Sequence, residues 1–551
     1  MFKKSLSTLA VGILLTMAFC PAHAYEAFQG PTELIQYDAA KAYNGYTLFS
    51  PFRGKNSYLI DMSGNVVHMW PYPEGWSSPG QEAVEKHARL LEDGTLLRGT
   101  IDRSKGGRGA SYQILDWGGV VKWQFKDPRE GYSAHHDFRM IWNPKLRANT
   151  LMYVASKSVT HEQAIALGCD PNLRSNYRSA PDGIVEVDMN GNIVWEWNIS
   201  DHLIQDINQD LPNYGVVKDH PEKLDPNFAG GRRGDWIHTN SFDYNEMLDQ
   251  VVINNSTNSE FYVVDHGGTF IPGDPEGSIA LAAGPKGDFL FRWGNPCVYD
   301  SGDCPSVSTE GTSSDNGHTQ VFFTHDIQWI REKEIRSGWN LPGSGHFLIF
   351  DNGSRRLGQV YSSILEIDPY DGPMENGNYI PEVKAGYASR SERGGKRGGQ
   401  PPKVSNQVVW SFKSTSPNAF YGNYISGCQR LPNGNTLIDS GPHGHFFEVT
   451  EGGEVVWEYI NPVGDRTQGD YGIYELMNDR SGTRFNSVFR CARYGPDYPG
   501  LAGKDLIPKG LITQIHTDEP KAPPRGAAKG GEKGSKGGKG GKGGKGKGGK
   551  K

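Results

Sequence analysis

The sequence predicts an all-β fold and, within that class, a six-bladed β-propeller with long loop insertions. Three observations lead to this prediction. The chain of 551 residues contains 72 Gly and 34 Pro, and its apolar residues stand in short clusters between turn dipeptides, as in strands joined by tight turns. One hairpin pattern recurs along the chain, and a second hairpin precedes most copies of it.

The recurring hairpin is an apolar strand, then Asp, two residues and Gly, followed by a β-branched pair that ends in an aromatic residue. Asp and Gly are turn residues and the flanks have strand composition, which together predict two antiparallel strands. The pattern or a close variant of it occurs at Asp61 to Gly64, Asp116 to Gly119, Asp188 to Gly191 and Val449 to Gly453.

The second hairpin is centred on Asp93-Gly94 in one copy and on Asn433-Gly434 in another. Two hairpins make a four-stranded unit, and such units recurring at roughly 40 to 50 residues favour a propeller. Six units are predicted, near residues 41–70, 87–126, 135–198, 235–294, 325–413 and 423–460. The first unit lacks an innermost strand, and the segment Asn486 to Tyr494 is predicted to supply it and close the ring.

Long insertions interrupt the units, and long loops on a rigid scaffold often carry binding functions. They are predicted at roughly residues 157–180, 199–232, 297–322 and 371–405.

The first 24 residues have the organisation of an export signal, with two early lysines, an apolar run from Leu9 to Phe19 and the cleavage site Ala22-His23-Ala24. The apolar run is too short to span a bilayer comfortably. We therefore expect a signal peptide over residues 1–24 and a periplasmic or secreted protein.

The rest of the chain divides into a propeller domain over residues 25–505 and a Lys/Gly-rich tail over residues 506–551. From Lys521 onward the tail has 11 Lys or Arg and a single acid, Glu532, a composition that predicts disorder. The tail is either simply solvated or a polycation that makes peripheral contact with anionic envelope lipid or polysaccharide. It has no interleaved aromatic residues, so no nucleic-acid partner is predicted.

Five cysteines remain after the signal peptide, so at least one thiol is unpaired or bonded to another chain. Cys297 and Cys304 flank a short loop and are predicted to form a disulfide in an oxidising compartment. A bond between Cys428 and Cys491 requires the chain ends to meet. No cysteine has zinc-ligand spacing, and neither a metal nor another cofactor is predicted.

Histidines recur at the entry of four successive units, at His87, His136, His238 and His325. The first strand of each propeller unit lines the central channel, so these side chains are predicted to face a shared funnel. An isolated histidine is more often a hydrogen-bonded structural residue, but repetition at one position of a repeat favours a site.

A second ring of residues is predicted from the turn after the second strand of each unit. The turn that contains Asn352, Arg355 and Arg356 aligns with the turn that contains His443 and His445. Only one of the two adjacent arginines can face the channel if they continue a strand. Imidazole serves as nucleophile and general acid or base, and arginine clamps oxyanions. The set suits transfer of an anionic group such as sulfuryl or phosphoryl, whereas the lack of convergent carboxylates speaks against glycoside hydrolysis.

The chain resembles the bacterial arylsulfate sulfotransferases (ASST) over roughly residues 85 to 495. The resemblance lies in Asp235-Trp236-Ile237-His238-Thr239-Asn240-Ser241, His325-Asp326-Ile327-Gln328, Phe350-Asp351-Asn352-Gly353-Ser354-Arg355-Arg356 and Leu431-Pro432-Asn433-Gly434-Asn435. It implies a six-bladed periplasmic propeller that moves a sulfuryl group from an aryl sulfate to a phenol. The implied route is ping-pong through a sulfohistidine, without a nucleotide sulfate donor.

The resemblance also implies residue roles. His238 and His325 would support the reaction, and Arg356, or alternatively Arg355, would clamp the sulfate. The nucleophile would be His443, to which the turn alignment points, or His445. The predicted substrate-binding residues are Asn240, Asn352, Arg355, His445, His136 and His87.

Two departures from the family keep other functions open. The segment Asn254 to Asn258 stands where family members carry Ser-Arg-His, and His87 and His136 exceed what sulfuryl transfer needs. The surplus imidazoles would suit a copper or zinc enzyme. A third hypothesis is a non-catalytic propeller that binds at the cell envelope.

Overall fold

A computed structural model of the chain shows the six antiparallel sheets of a β-propeller, which confirms the predicted fold class. The structure describes residues 31–52, 56–71, 84–102, 109–172, 180–228, 235–308, 314–331, 341–369, 407–416, 419–463 and 486–515. The signal peptide, the tail beyond residue 515 and the insertion at 371–405 lie outside these ranges. Within them, none of the helices has the length and apolar character needed to cross a bilayer.

The strands of the first half are β1 (Glu33–Tyr37), β2 (Tyr46–Pro51), β3 (Asn56–Ile60), β4 (Val66–Pro71), β5 (Val84–Leu90), β6 (Leu96–Asp102), β7 (Gly109–Leu115), β8 (Val121–Lys126), β9 (Tyr132–Asn143), β10 (Ala148–Lys157), β11 (Asp182–Val187) and β12 (Ile193–Asn198).

The strands of the second half are β13 (Phe242–Asn245), β14 (Gln250–Asn255), β15 (Glu260–Asp265), β16 (Phe291–Trp293), β17 (Ser306–Val307), β18 (Ser314–Asp315), β19 (Thr324–Trp329), β20 (Phe347–Asp351), β21 (Ser363–Ile367), β22 (Val408–Phe412), β23 (Gly427–Arg430), β24 (Thr436–Ser440), β25 (His445–Val449), β26 (Val455–Ile460) and β27 (Val488–Tyr494). The α-helices are α1 (His161–Ala166), α2 (Pro275–Ala282) and α3 (Ile512–Ile515).

From the innermost strand outward, blade 1 is β27-β2-β3-β4, and blades 2 and 3 are β5 to β8 and β9 to β12. Blades 4 and 5 are β13 to β16 and β19 to β22, and blade 6 is β23 to β26 with β1 added on its outer edge. The strands β17 and β18 form a small separate hairpin.

The predicted Asp and Gly turns connect the third and fourth strands of their blades. Gly64, Gly119, Gly191 and Gly453 have φ values of 83°, 84°, 84° and 83°. Each donates its N–H to the carbonyl three residues earlier. Glycine adopts this left-handed conformation without the steric cost that a side chain would add, so the turn residues determine where each strand reverses.

Both ends of the chain close the ring. Strand β27 pairs with β2, from Tyr46 opposite Tyr494 to Pro51 opposite Val488. Strand β1 pairs with β26, from Glu33 opposite Ile460 to Tyr37 opposite Trp457. The prediction that residues near 486–494 complete the first unit is therefore confirmed.

The folded part of the chain continues past the predicted boundary at residue 505. Lys509 donates its N–H to the carbonyl of Val66, and Val66 donates to the carbonyl of Gly510. The Ile512 side chain at the start of α3 is fully buried against blades 1 and 6. Residues 506–515 were assigned to the tail, and the apolar residues within this stretch explain why they pack on the propeller instead.

The hydrophobic core consists of six clusters, each between two neighbouring blades. Blades 3 and 4 share the largest cluster, which contains Trp195 and Trp197 from β12 and Tyr262 from β15. Both faces of every blade are therefore covered, which explains the near-continuous apolar strands.

One disulfide joins Cys297 to Cys304, as predicted. Cys169, Cys428 and Cys491 are free and buried. The chain ends do meet in the closed ring, yet Cys428 and Cys491 remain thiols.

A buried ion cluster also joins blades 3 and 4. His266 lies with Nε2 2.8 Å from Glu186 Oε2 on β11 and Nδ1 2.6 Å from Asp249 Oδ1 before β14. Burial favours the neutral imidazole, but the charges and hydrogen bonds of Glu186 and Asp249 outweigh it and raise the pKa of His266 to about 9.

Because of this cluster, the free energy of unfolding should fall as the pH rises from about 6.5 to 9. A histidine whose folded pKa is about 9 contributes fully below its unfolded pKa of about 6.5, and the contribution disappears as the pH rises through 9. His266→Gln should cost about 3 to 5 kcal/mol near pH 6.5 because it leaves the buried Glu186 and the half-buried Asp249 without their cation. It should also flatten the fall in melting temperature between pH 6.5 and 9.

Thermal unfolding across that pH range checks the prediction. His220→Gln is the matched control, since His220 also pairs with a carboxylate, Glu222, but is 43% exposed. Equal effects of the two substitutions would contradict the assignment.

Candidate functional site

The inner strands are bulged at the level where the predicted histidines stand. In blades 1, 2 and 5 the inner strand has one extra residue relative to its partner strand, which makes a β-bulge. The bulges lie at Val488 to Cys491, Glu85 to Ala88 and His325 to Gln328. In blade 3 the stretch from Ala134 to Phe138 faces only Tyr153 to Ala155. A bulge bends the strand and redirects its side chains, which brings these residues to the channel mouth.

Backbone strain concentrates at the same level. Positive φ values occur at His136 (54°), His238 (43°), Phe323 (57°), Asp326 (54°) and Ser426 (92°). These residues belong to the inner edges of blades 3, 4, 5 and 6. Such conformations cost on the order of 1 to 3 kcal/mol each and commonly accompany functional sites.

A continuous line of rings joins blades 3, 4 and 5. The ring centroids of His136 and His238 lie 4.8 Å apart, those of His238 and Phe323 6.2 Å, and those of Phe323 and His325 5.6 Å. The structure thus brings three of the four repeated histidines together. Phe323, which sequence reasoning missed, fills the space between two of them.

His87 has a different environment. Its ring stacks on Phe138 at 4.3 Å and on Phe489 at 5.4 Å, and only 1% of its surface is exposed. Its Nε2 lies 3.5 Å from Asp137 Oδ1. His87 is therefore buried between two aromatic rings, and its role in substrate binding stays a prediction.

His238 is held as a hydrogen-bond donor to a carboxylate. Its Nδ1 lies 2.6 Å from Asp235 Oδ2, and 31% of its side chain is exposed. Burial acts to lower the pKa of His238, but the hydrogen bond and charge of Asp235, with a contribution from Asp182, raise it above its usual value. The protonated form of His238 is thus favoured over that of a free imidazole. The three-residue spacing from Asp235 is the sequence signal that could have identified this pair.

His325 has the opposite character. Its Nδ1 lies 2.6 Å from Asn352 Oδ1, while Asn352 Nδ2 donates to the carbonyls of Gly422 and Ile425 at 2.7 and 2.9 Å. The amide orientation makes Nδ1 of His325 the donor and Nε2 the acceptor. Burial, with the charges of His238 and Arg490, lowers the pKa of His325 to about 3, so this imidazole stays neutral at physiological pH.

Asn240 and the unusual segment after β14 support the backbone between the histidines. The carbonyl of Thr324 accepts from Asn240 Nδ2 and Asn254 Nδ2, both at 2.8 Å. Ser256 Oγ lies 3.1 Å from the same carbonyl and 3.0 Å from that of His238. Asn240 is fully buried, and the structure shows both Asn240 and Asn352 in supporting hydrogen bonds.

Arg355 extends over the aromatic part of the mouth. Its guanidinium carbon lies 4.7 Å from the centroid of Phe323, and Nη1 donates to the carbonyl of Thr257 at 2.5 Å. Its charge is near enough to act against the protonation of His238. Arg355 therefore places a positive charge beside His238.

Arg356 points elsewhere. Its guanidinium forms an ion pair with the buried Asp351 and lies 4.4 Å over the ring of Phe322 and 4.1 Å over that of Tyr361. Of the two adjacent arginines, Arg356 is the one held within blade 5.

His443 and His445 are likewise separated by the fold. His443 is half-buried in the turn after β24, with Nδ1 3.2 Å from Ser440 Oγ, and its carbonyl accepts from Asn486 Nδ2 at 2.8 Å. The segment from Asn486 leads directly into β27 at the channel. His445 is buried in β25, where Nε2 lies 2.8 Å from Glu458 Oε1.

A buried ion network lies at the inner strands. Arg490 of β27 lies with Nη1 3.0 Å from Asp137 Oδ1 and Nε 2.9 Å from Asp326 Oδ1. Arg89 reaches Asp137 Oδ1 at 3.2 Å. Burial opposes the charge of Asp137, but Arg490 and Arg89 hold the pKa of this carboxyl far below its usual range. Sequence reasoning did not predict this network because its members belong to blades 1, 2, 3 and 5.

In the part of the chain that the structure describes, no three His, Cys, Asp or Glu side chains are arranged to hold a metal ion.

Comparison with known proteins gives one family match. The family model Arylsulfotransferase (ASST) matches residues 33–362. No curated protein matches the chain.

Several solved structures align with low similarity. A protein of unknown function from Bacteroides caccae has 10% identity, covers 76% of this chain and 94% of its own, and has a TM-score of 0.36. Virginiamycin B lyase from Staphylococcus aureus has 8% identity, coverages of 78% and 87%, and a TM-score of 0.31. A putative 6-phosphogluconolactonase from Bacteroides fragilis has 8% identity, coverages of 83% and 99%, and a TM-score of 0.29. These values are too low to bear on function.

The contact between Asp235 and His238 predicts a shift in imidazole reactivity. Asp235→Asn removes the charge that raises the pKa of His238, so more of this imidazole should be neutral at pH 7. Diethyl pyrocarbonate acylates neutral imidazole, and mass spectrometry of the His238 peptide should show faster modification in the variant. The His220 peptide is an internal control, and an unchanged His238 rate would contradict the electrostatic role of Asp235.

Proposed function

This chain belongs to the arylsulfotransferase (ASST) family, and we propose from that premise how its site moves a sulfuryl group from an aryl sulfate to a phenol. Family membership supports aryl sulfate sulfotransferase activity and small-molecule donor and acceptor substrates. The proposed route is ping-pong through a sulfohistidine, without a nucleotide sulfate donor. The observation that carries the proposal is the meeting of His238 and Arg355 with the neutral His325 around Phe323.

His238 and Arg355 bind the sulfuryl oxygens. Both side chains offer N–H donors at one mouth, and charge on the peripheral oxygens grows as the sulfuryl group is transferred. Asp235 favours the protonated form of His238, and Thr257 holds Arg355 in place. Arg355 is therefore proposed as the clamp in preference to Arg356, whose guanidinium is engaged by Asp351.

Neutral His325 has a different task. Its Nε2 can only accept a hydrogen bond, because Asn352 holds the proton on Nδ1. It orients a hydrogen-bond donor of the bound substrate without adding a further charge to the site. Phe323 offers an apolar face for the aryl ring.

His443 is the proposed nucleophile. Its Nδ1 contacts Ser440, and Nε2 is the proposed attacking atom. In the first half-reaction an N–S bond forms and the bond from sulfur to the aryl oxygen breaks, so the aryl oxide leaves with the electron pair. In the second, the acceptor oxygen bonds to sulfur and the N–S electron pair returns to His443. His445 is the less suitable candidate because Glu458 engages its Nε2 within blade 6.

The proposed location is the periplasm or the cell exterior. The signal-like first 24 residues support export, and the bond between Cys297 and Cys304 requires an oxidising compartment. Peripheral adhesion of the Lys-rich tail to anionic envelope components is proposed from its charge alone.

The covalent step predicts a sulfo-adduct on one histidine. The purified protein should release nitrophenol from 4-nitrophenyl sulfate in a phenol-dependent manner and, without acceptor, gain one sulfuryl group detectable by mass spectrometry. His443→Ala should abolish the adduct, whereas His346→Ala, a histidine paired with Glu366 in blade 5, should retain it. An adduct that persists in the His443 variant would move the nucleophile elsewhere. The absence of nitrophenol release with every phenol tested would overturn the proposed activity.

The two arginines make a matched pair for testing the clamp. Arg355→Ala should lower kcat/KM for the donor. The loss should correspond to about 2 to 4 kcal/mol of transition-state stabilisation, the scale expected for one charge-stabilising group. Arg356→Ala should chiefly lower the melting temperature, because it leaves Asp351 buried without its cation. The reverse pattern, measured by steady-state kinetics and thermal unfolding, would assign the clamp to Arg356.

A further inference from the structure

Two consecutive histidines of blade 3 form a hydrogen-bonded chain that ends beside His238. Nδ1 of His135 lies 2.7 Å from Nδ1 of His136, and Nε2 of His135 lies 3.0 Å from Asp182 Oδ1. The His136 ring meets His238 edge to face, with centroids 4.8 Å apart. Asp182 is buried, whereas His136 is half-buried at the mouth. The chain thus runs from the Asp182 carboxylate through the imidazoles of His135 and His136 to the site.

The hydrogen-bond chemistry permits only two proton arrangements. Asp182 as a carboxylate can only accept, and its other oxygen accepts from the backbone N–H of Thr239 at 2.6 Å, so His135 Nε2 carries a proton. One proton lies between the two Nδ1 atoms. It belongs either to His136, with His135 neutral, or to His135, which is then an imidazolium beside Asp182.

The bulge in β9 makes this chain possible. Neighbouring residues of a regular strand point to opposite faces, which would separate the two imidazoles. The extra residues between Ala134 and Phe138 and the positive φ of His136 bring the two Nδ1 atoms together. The strain is thus located where the contact forms.

We propose that His136 is the acid–base residue of the sulfuryl transfer and that Asp182 and His135 form a proton relay behind it. This inference rests on the proposed function and adds a residue that the resemblance does not require.

The same proton relay balances both half-reactions, in opposite directions. When the acceptor phenol attacks sulfur, its O–H bond breaks and the proton passes to Nε2 of His136. The Nδ1 proton of His136 moves to Nδ1 of His135, and the new imidazolium is stabilised by Asp182. In the first half-reaction the steps reverse, and His136 Nε2–H protonates the leaving aryl oxide. One relay thus serves both halves, as a ping-pong reaction between two phenols requires.

The other imidazoles of the mouth suit this task less well. His325 is too weak a base, since its pKa lies near 3. His238 has its Nδ1 engaged by Asp235, which favours the protonated form, so this residue serves better as a donor.

The dependence of the sulfo-adduct rate on the leaving group shows whether His136 is a general acid or only a structural residue. The nitrophenolate of 4-nitrophenyl sulfate leaves without protonation, whereas the oxide from phenyl sulfate needs a proton. His136→Gln should therefore slow sulfo-adduct formation from phenyl sulfate by about 10²- to 10⁴-fold, the usual range for general acid catalysis, and from 4-nitrophenyl sulfate by less than about tenfold. His135→Gln and Asp182→Asn should show the same dependence with smaller factors.

Single-turnover kinetics by mass spectrometry, with His346→Gln as the unaffected control, provide the measurement. Equal slowing with both donors, or an unchanged rate with phenyl sulfate, would overturn the role of His136. Wild-type behaviour of both relay variants would overturn the relay. If His136→Gln unfolds, His136→Asn and rescue of His136→Ala by added imidazole give the same contrast. If the wild-type protein forms no sulfo-adduct from either donor, the proposed function itself would be refuted.

Discussion

The contact of Arg490 with Asp137 and Asp326 is the interaction on which the channel depends. Arg490 comes from β27, the strand that closes the ring, and its two partners belong to blades 3 and 5. Buried carboxylates destabilise a fold unless they are paired, so the stability of these inner strands depends on the presence of β27. Closure of the propeller and neutralisation of the two carboxylates are therefore coupled.

At the mouth, the local environment gives the histidines different chemical properties. Asp235 raises the pKa of His238, and burial keeps His325 neutral while Asn352 holds its Nδ1 proton. His266, away from the mouth, is a cation for purely structural reasons because two carboxylates surround it. The assignment of roles thus rests on the partner of each ring nitrogen, and residue type alone does not supply it.

Much of the architecture could be predicted because hairpins are local. Asp61 to Gly64 and its repeats predicted the turns, and the missing inner strand of the first unit predicted the role of residues near 486–494. The sequence could not predict which of Arg355 and Arg356 faces the mouth. The two residues are adjacent and of the same type, and they differ only in the side chains that the fold places beside them. The part played by His135 could not be predicted for a similar reason. Its contact with His136 depends on a bulge that strand alternation does not predict.

The sequence by itself determined the strand and turn pattern, the number of blades and the level at which the histidines stand, since these depend on residues close together in the chain. The tertiary structure decided which side chains enter the mouth and in which protonation state. His136, His238 and His325 come from three blades, and their electrostatics depend on Asp182, Asp235 and Asn352. A pKa depends on burial and on charges a few ångströms away, and those neighbours are assembled only when the ring closes.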